Sequence, residues 1–100
     1  MRMSKIFISM PMKGKTRAEI ITEQGKVLAH VNEKLGEPVM LVENYIDENI
    51  SPLECLGENL KRLAHADWIV FTESWENCKR CVIEHLCAEK YNVPILELSE

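Results

Sequence analysis

The sequence lacks any apolar run that approaches the roughly 18 residues a membrane-spanning helix needs. Residues 1–12 hold only a brief apolar run, which Pro11 interrupts and basic residues follow, so a secretory cleavage site is missing as well. Neither a membrane protein nor a secreted protein is therefore expected. We predict a cytoplasmic protein with no membrane partner.

An excess of basic residues is also missing, since 12 lysines and arginines stand against 16 acidic residues, for a net charge of −4. Phosphate affinity comes mainly from clustered cations, and the densest group here, Lys13, Lys15 and Arg17, is short. We therefore expect no nucleic-acid partner. A hydrophobic content of 46% nevertheless fits a folded protein, and 100 residues predict one domain over residues 1–100.

Four short apolar segments alternate with three helical patterns. Strands are predicted over residues 5–9, 38–42, 67–72 and 93–98, and helices over residues 16–35, 51–64 and 77–91, the last capped by Asn77. Apolar strands joined by helices are typical of a parallel sheet covered on both faces. We predict a three-layer, doubly wound α/β fold of the flavodoxin or Rossmann kind, with four parallel strands in the order 2-1-3-4. Pro94 places the fourth strand at an edge.

In such sheets, ligands bind outside the carboxyl ends of the strands, where the strand order reverses. The crevice predicted here lies between the ends of strands one and three, and is lined by residues 9–14 and 72–77. The first of these loops matches neither a P-loop nor a Gly-x-Gly-x-x-Gly fingerprint. Its backbone N–H groups and lysine could still hold an anionic ligand. A simple connecting loop is the alternative.

Glu84 is the first candidate for chemistry, because it shares a stripe of the last helix with Cys81 and Ala88. A carboxylate among mostly apolar neighbours is partly desolvated, which suits it to act as a base or nucleophile. The alternative is a solvated helix glutamate beside Arg80. The residues alone leave both interpretations open.

Cys78 and Cys81 form a CxxC pair at a helix start, the position used by thioredoxin-type redox sites. Only one helix and one strand follow the pair, which argues against that fold. A zinc site would add His85, but a second CxxC that would supply the remaining ligands is absent. Plain buried thiols are favoured, so neither a metal nor a cofactor is predicted, and redox and zinc functions are the lesser alternatives.

Two stretches together resemble the nucleoside 2-deoxyribosyltransferase-like superfamily, especially its small phage- and prophage-associated members of unknown function. Residues 5–12 (KIFISMPM) are similar to the family's opening pattern of lysine, apolar, tyrosine, apolar, small residue, glycine and proline. The second stretch comprises residues 66–71, 75–77, Glu84 with Ala88, and 92–95. It is similar to the family's strand, ligand loop, glutamate-bearing helix and closing strand. The resemblance covers nearly the whole chain in order, and the middle is its least specific part.

The resemblance implies a chemistry. In that family the helix glutamate attacks the anomeric carbon of a deoxyribonucleoside or nucleotide, and a second base or water resolves the glycosyl-enzyme. Glu84 would then be the nucleophile, and Glu73 is the nearest candidate for the acid that protonates the leaving base. We expect deoxyribosyl transfer or N-glycosidic cleavage of a small-molecule nucleoside or nucleotide. A homo-oligomer is expected too, because related enzymes often complete their site from a neighbouring subunit.

The resemblance also implies the residues that contact the substrate, with Trp75 stacking on the base. They are Phe7, Ser9, Met10, Pro11, Met12, Gly14, Ser74, Trp75 and Asn77. Phe7, however, stands where the enzymes have a tyrosine that orients the nucleophile. Met10 replaces a glycine that permits close backbone approach. These departures favour the alternative function, a non-catalytic nucleotide-binding module of the same fold.

Overall fold

A computed structural model describes residues 3–98 and shows a three-stranded parallel sheet with helices. The elements are β1 (Ser4–Ser9), α1 (Arg17–Leu35), β2 (Val39–Val42), α2 (Pro52–Leu63), β3 (Trp68–Phe71), a 3-10 turn (Trp75–Asn77) and α3 (Lys79–Lys90). The strand order is β2-β1-β3. The predicted α/β class, the parallel pairing and the order of these three strands are confirmed.

The central strand β1 organises the two faces of the sheet. Ile6 and Ile8 pack in one buried cluster with Val31 of α1. Phe7 packs in another with Leu63 of α2 and with α3. Because alternate side chains of a strand point to opposite faces, α1 covers one face of the sheet, and α2 and α3 cover the other. The architecture therefore has three layers.

The prediction of a fourth strand over residues 93–98 is wrong. This segment meets β3 at a single parallel bridge, between Ile69 and Ile95. The Ile69 N–H donates to the Pro94 carbonyl at 2.9 Å, and the Leu96 N–H donates to the Ile69 carbonyl at 2.9 Å. Pro94 has no N–H with which to extend the ladder. The segment lies beside β3, at the predicted edge, without forming a strand.

The first two helices begin where the sequence places them. Thr16 and Glu19 form a capping box on α1, and Ser51 and Glu54 form another on α2. Each box satisfies backbone N–H groups that the first helical turn leaves without a partner. None of the helices in residues 3–98 combines the length and apolarity that crossing a membrane requires.

The start of α3 differs from the prediction. Asn77 is not the cap, because it belongs to the 3-10 turn that precedes the helix. Cys78 caps α3 instead, and its sulfur accepts a hydrogen bond from the Cys81 N–H at 3.4 Å. The 3-10 turn is entered through Ser74, which adopts a left-handed conformation with φ 71°. This turn delays the start of the helix and places a thiol at its N-cap.

Candidate functional site

A cleft of about 600 Å³ opens beyond the carboxyl ends of β1 and β2. Its walls are the loop after β1, the loop after β2, the beginning of α2 and the beginning of α3. The lining residues are 11–13, 44–48, 52, 55, 59 and 77–80. The cleft therefore shares residues 11–13 and Asn77 with the predicted crevice, but it extends towards β2 and away from residues 72–76.

A buried carboxylate lies beside this cleft. Glu84 of α3 is fully buried, and both of its oxygens are hydrogen-bonded. Ser9, at the end of β1, donates from Oγ to Glu84 Oε1 at 2.6 Å. Arg80, one helical turn before Glu84, donates from Nη1 to Oε1 at 3.0 Å and to Oε2 at 2.9 Å. Glu84 thus combines features of both interpretations, because it is buried and it also lies beside Arg80.

Arg80 connects this carboxylate with the wall of the cleft. Its Nη2 donates to the Met10 carbonyl at 2.7 Å, which fixes the guanidinium between α3 and the loop after β1. Burial alone would lower the pKa of Arg80, but the charge of Glu84 and the hydrogen bonds to it raise that pKa above its ordinary value. The guanidinium therefore stays charged and fixed, with 22% of its side chain exposed.

The CxxC pair does not show a metal site. Within residues 3–98, no group of three or more histidine, cysteine or acidic side chains is placed to hold a metal ion. His85 packs against aromatic rings instead, stacked on Trp75 with ring centroids 4.2 Å apart and planes 13° apart. Burial is the main cause that raises the pKa of the Cys81 thiol to about 12, so this thiol is neutral at physiological pH.

The wall contributed by residues 44–48 is held by a buried asparagine. Asn59 is 2% exposed, and its Oδ1 accepts from the Tyr45 N–H at 2.8 Å while its Nδ2 donates to the Tyr45 carbonyl at 3.0 Å. Asn44 adds a second anchor by donating to the Ile8 carbonyl at 3.0 Å. Neither asparagine was predicted from the sequence as part of the site. The sequence does hold a signal for Asn59, because it lies three residues after Leu56 on the apolar stripe of α2, where a polar side chain is expected to be buried and hydrogen-bonded.

The charges of the cleft are divided between its two sides. Lys13, Lys79 and Arg80 lie on the side of β1 and α3, whereas Asp47 and Glu48 lie on the side of the loop after β2. On the acidic side, the Tyr45 hydroxyl donates to Asp47 Oδ2 at 3.2 Å. That hydrogen bond and the charge of Asp47 raise the pKa of Tyr45. A ligand with an anionic end and a hydroxyl-rich or amine-rich end matches this division.

Part of the predicted site comes together at this place. Pro11, Met12 and Asn77 line the cleft. Ser9 and Met10 are fully buried next to it, where they bond to Glu84 and Arg80 respectively. Arg80, expected from the sequence only as a neighbour of Glu84, thus joins α3 to the loop after β1.

Other predicted contacts lie elsewhere. Phe7 is fully buried in the core, and Gly14 is exposed in a turn with φ 80°, outside the cleft lining. Glu73 and Ser74 are exposed and do not line the cleft. Trp75 does not line it either, and its stacking on His85 covers one face of the ring that the prediction assigned to a base.

The fold and the site define an α/β protein with a cleft at the carboxyl end of a parallel sheet, and charged side chains stand on both sides of this cleft. A scan against protein-family models finds no match, and a search of curated proteins finds none either.

Proposed function

We propose that the chain is a nucleotide-binding module, similar in type to the deoxyribosyltransferase-like proteins, that takes a nucleoside monophosphate in the cleft. The fixed guanidinium of Arg80 is the observation that carries this proposal. Its three hydrogen-bonded contacts in the described part of the chain use at most three of five N–H groups, so at least two remain for a ligand. A guanidinium matches the geometry of a phosphate group.

The charge division of the cleft orients such a ligand. The phosphate would lie towards Arg80, Lys13 and Lys79, and the sugar and base towards Tyr45 and Asp47. Carboxylate oxygens accept hydrogen bonds from sugar hydroxyls, as acidic side chains do in other nucleotide-binding α/β sheets. The cleft volume of about 600 Å³ also lies within the usual range for small-molecule sites.

Calorimetric titration of the full chain tests this proposal. The ligands are a panel of deoxynucleoside 5′-monophosphates, the matching nucleosides, and inorganic phosphate. We expect a monophosphate to bind several-fold more tightly than its nucleoside. Lys79→Ala should weaken monophosphate binding with little effect on nucleoside binding. Lys61→Ala removes the same charge from the exposed side of α2, where Lys61 is 73% exposed, and should change neither affinity.

Two results would contradict binding at this cleft. One is the absence of heat with every monophosphate. The other is equal weakening by Lys79→Ala and Lys61→Ala, because the attraction would then depend only on net charge.

A second candidate function is cleavage of the N-glycosidic bond through Glu84, and the hydrogen bond from Ser9 favours it. The resemblance assigns to a tyrosine the orientation of the nucleophile, and here Phe7 has no hydroxyl to offer. Ser9 Oγ, 2.6 Å from Glu84 Oε1, offers a hydroxyl that would perform the same task. Attack also requires the carboxylate to approach the anomeric carbon to about 3–3.5 Å. Arg80 would therefore have to release one of the two Glu84 oxygens when the substrate binds.

An assay of free base distinguishes the two candidates. The chain is incubated with deoxynucleosides and their monophosphates, and released base is measured by chromatography. Cleavage through Glu84 predicts base release that Glu84→Gln abolishes. Glu89→Gln, an exposed substitution on the same helix, should leave the release unchanged. No base from any compound, with Glu84→Gln indistinguishable from the parent, would exclude cleavage and leave the binding proposal intact.

A further inference from the structure

Two thiols meet at the first turn of α3. Cys78 is half-buried at the cap position, and Cys81 is fully buried behind it. The Cys78 sulfur accepts the Cys81 N–H at 3.4 Å. Contact with Cys78 adds to burial in raising the pKa of the Cys81 thiol. The sulfurs are therefore neighbours in the folded chain, although all four cysteines are free.

The other two cysteines are placed differently. Cys55 lies on α2, where its thiol donates to the Asp47 carbonyl at 3.3 Å. Cys87 lies on α3, six residues after Cys81 in the sequence, which is not the spacing of a CxxC pair. Cys55 lines the same cleft as Cys78, but the residue that contacts the Cys78 sulfur directly is Cys81.

We propose that Cys78 and Cys81 form a reversible dithiol–disulfide site, oxidised by a low-molecular-weight disulfide of the glutathione kind. This proposal does not depend on the proposed function. It follows from the juxtaposition of an accessible sulfur and a buried sulfur in the first turn of one helix, where the first can react with an external disulfide and the second can attack the product.

The exchange balances in two steps. The Cys78 thiol loses its proton to solvent, and its sulfur attacks the glutathione disulfide. A Cys78–glutathione bond forms, and one glutathione leaves as its thiolate and takes up a proton. Cys81 then loses its proton, and its sulfur attacks the Cys78 sulfur and displaces the second glutathione. The chain loses two hydrogens and two electrons, and one glutathione disulfide becomes two thiols.

The burial of the two sulfurs sets the order of these steps. Cys78 is the accessible thiol and lines the cleft, so an external disulfide reaches it first. Cys81 has no exposed surface, which excludes a glutathione molecule but not attack by one thiol on the neighbouring sulfur.

Mass spectrometry after alkylation tests the proposal on the full chain. Cys55→Ser and Cys87→Ser are introduced together, so that only the pair remains. The folded chain is equilibrated in glutathione buffers at about pH 8, quenched with acid and alkylated. We expect a species that has lost two hydrogens, takes up no alkyl group and is restored by dithiothreitol. Peptide mapping of the unsubstituted chain should locate the same bond between Cys78 and Cys81.

Two further substitutions identify the roles of the sulfurs. In the same background, Cys81→Ser should stop at a single glutathione adduct on Cys78. Cys78→Ser keeps an effective helix cap and should prevent the adduct while the chain stays folded. The proposal is overturned if the pair stays reduced in buffers that oxidise the unfolded chain, or if the parent accumulates the Cys78 adduct without closing the disulfide. The unsubstituted chain decides the matter if a variant fails to fold.

Discussion

Ser9 Oγ lies 2.6 Å from Glu84 Oε1, and this hydrogen bond joins the end of β1 to the middle of α3 across 75 positions of sequence. Together with the two contacts from Arg80, it satisfies both oxygens of a carboxylate that has no exposed surface. A buried charge is tolerated when its partners are in place and is costly when one of them is removed. The Ser9–Glu84–Arg80 contacts are therefore expected to be the most sensitive polar group of the fold.

Arg80→Met should destabilise the chain by about 3 kcal/mol at neutral pH, because it leaves the Glu84 carboxylate buried without its cation. Urea unfolding followed by circular dichroism measures the effect. Lys61→Met, which removes an exposed cation, should change the free energy of unfolding by less than about 0.5 kcal/mol. Arg80→Met combined with Glu84→Gln should recover part of the loss, since the buried charge is then gone. Equal effects of Arg80→Met and Lys61→Met would contradict this account.

Asn59→Ala should cost roughly 2 kcal/mol, because it removes the amide that satisfies both backbone groups of Tyr45. The loop over residues 44–48 should also become more susceptible to limited proteolysis. Asn49→Ala is the matched control, since Asn49 is exposed beside the same loop. If the two alanine variants unfold at the same urea concentration, Asn59 is not the anchor of this wall.

Local signals account for the parts of the structure that the sequence predicts well. Ser51 followed by Pro52 and Glu54 specifies a helix start within four residues, and the structure has its capping box there. Arg80 could not be assigned in the same way, because its contact with the Met10 carbonyl spans 70 positions and no periodicity reports such a pair. The prediction of a strand around Pro94 was wrong for a related reason. Its composition is that of a strand, but a strand also requires a neighbouring ladder that it can join.

Stability should fall at alkaline pH because of Cys81. The folded chain raises the pKa of this thiol from 9.0 to about 12, so the unfolded chain releases the proton first. The contribution of Cys81 to the free energy of unfolding is therefore fully present below pH 9, and it is lost as the pH rises from 9 towards about 12. Urea unfolding under reducing conditions, repeated over this range, measures the slope. Cys81→Ala should remove this part of the slope, and an unchanged slope would show that Cys81 does not cause it.

Leu96→Ala should destabilise the chain by about 3 kcal/mol, although Leu96 belongs to a segment with one bridge and no strand. The side chain is 8% exposed and packs in the core cluster that contains Ile8 and Val31, between the sheet and α1. Its removal leaves a cavity in that layer. Leu53→Ala makes the same change at a position that is 76% exposed and should cost less than about 0.5 kcal/mol. Urea unfolding of the two variants compares them directly. If they lose the same stability, the segment after α3 adds little to the core. If Leu96→Ala alone is costly, this segment closes the hydrophobic layer through side-chain packing and not through a continued ladder.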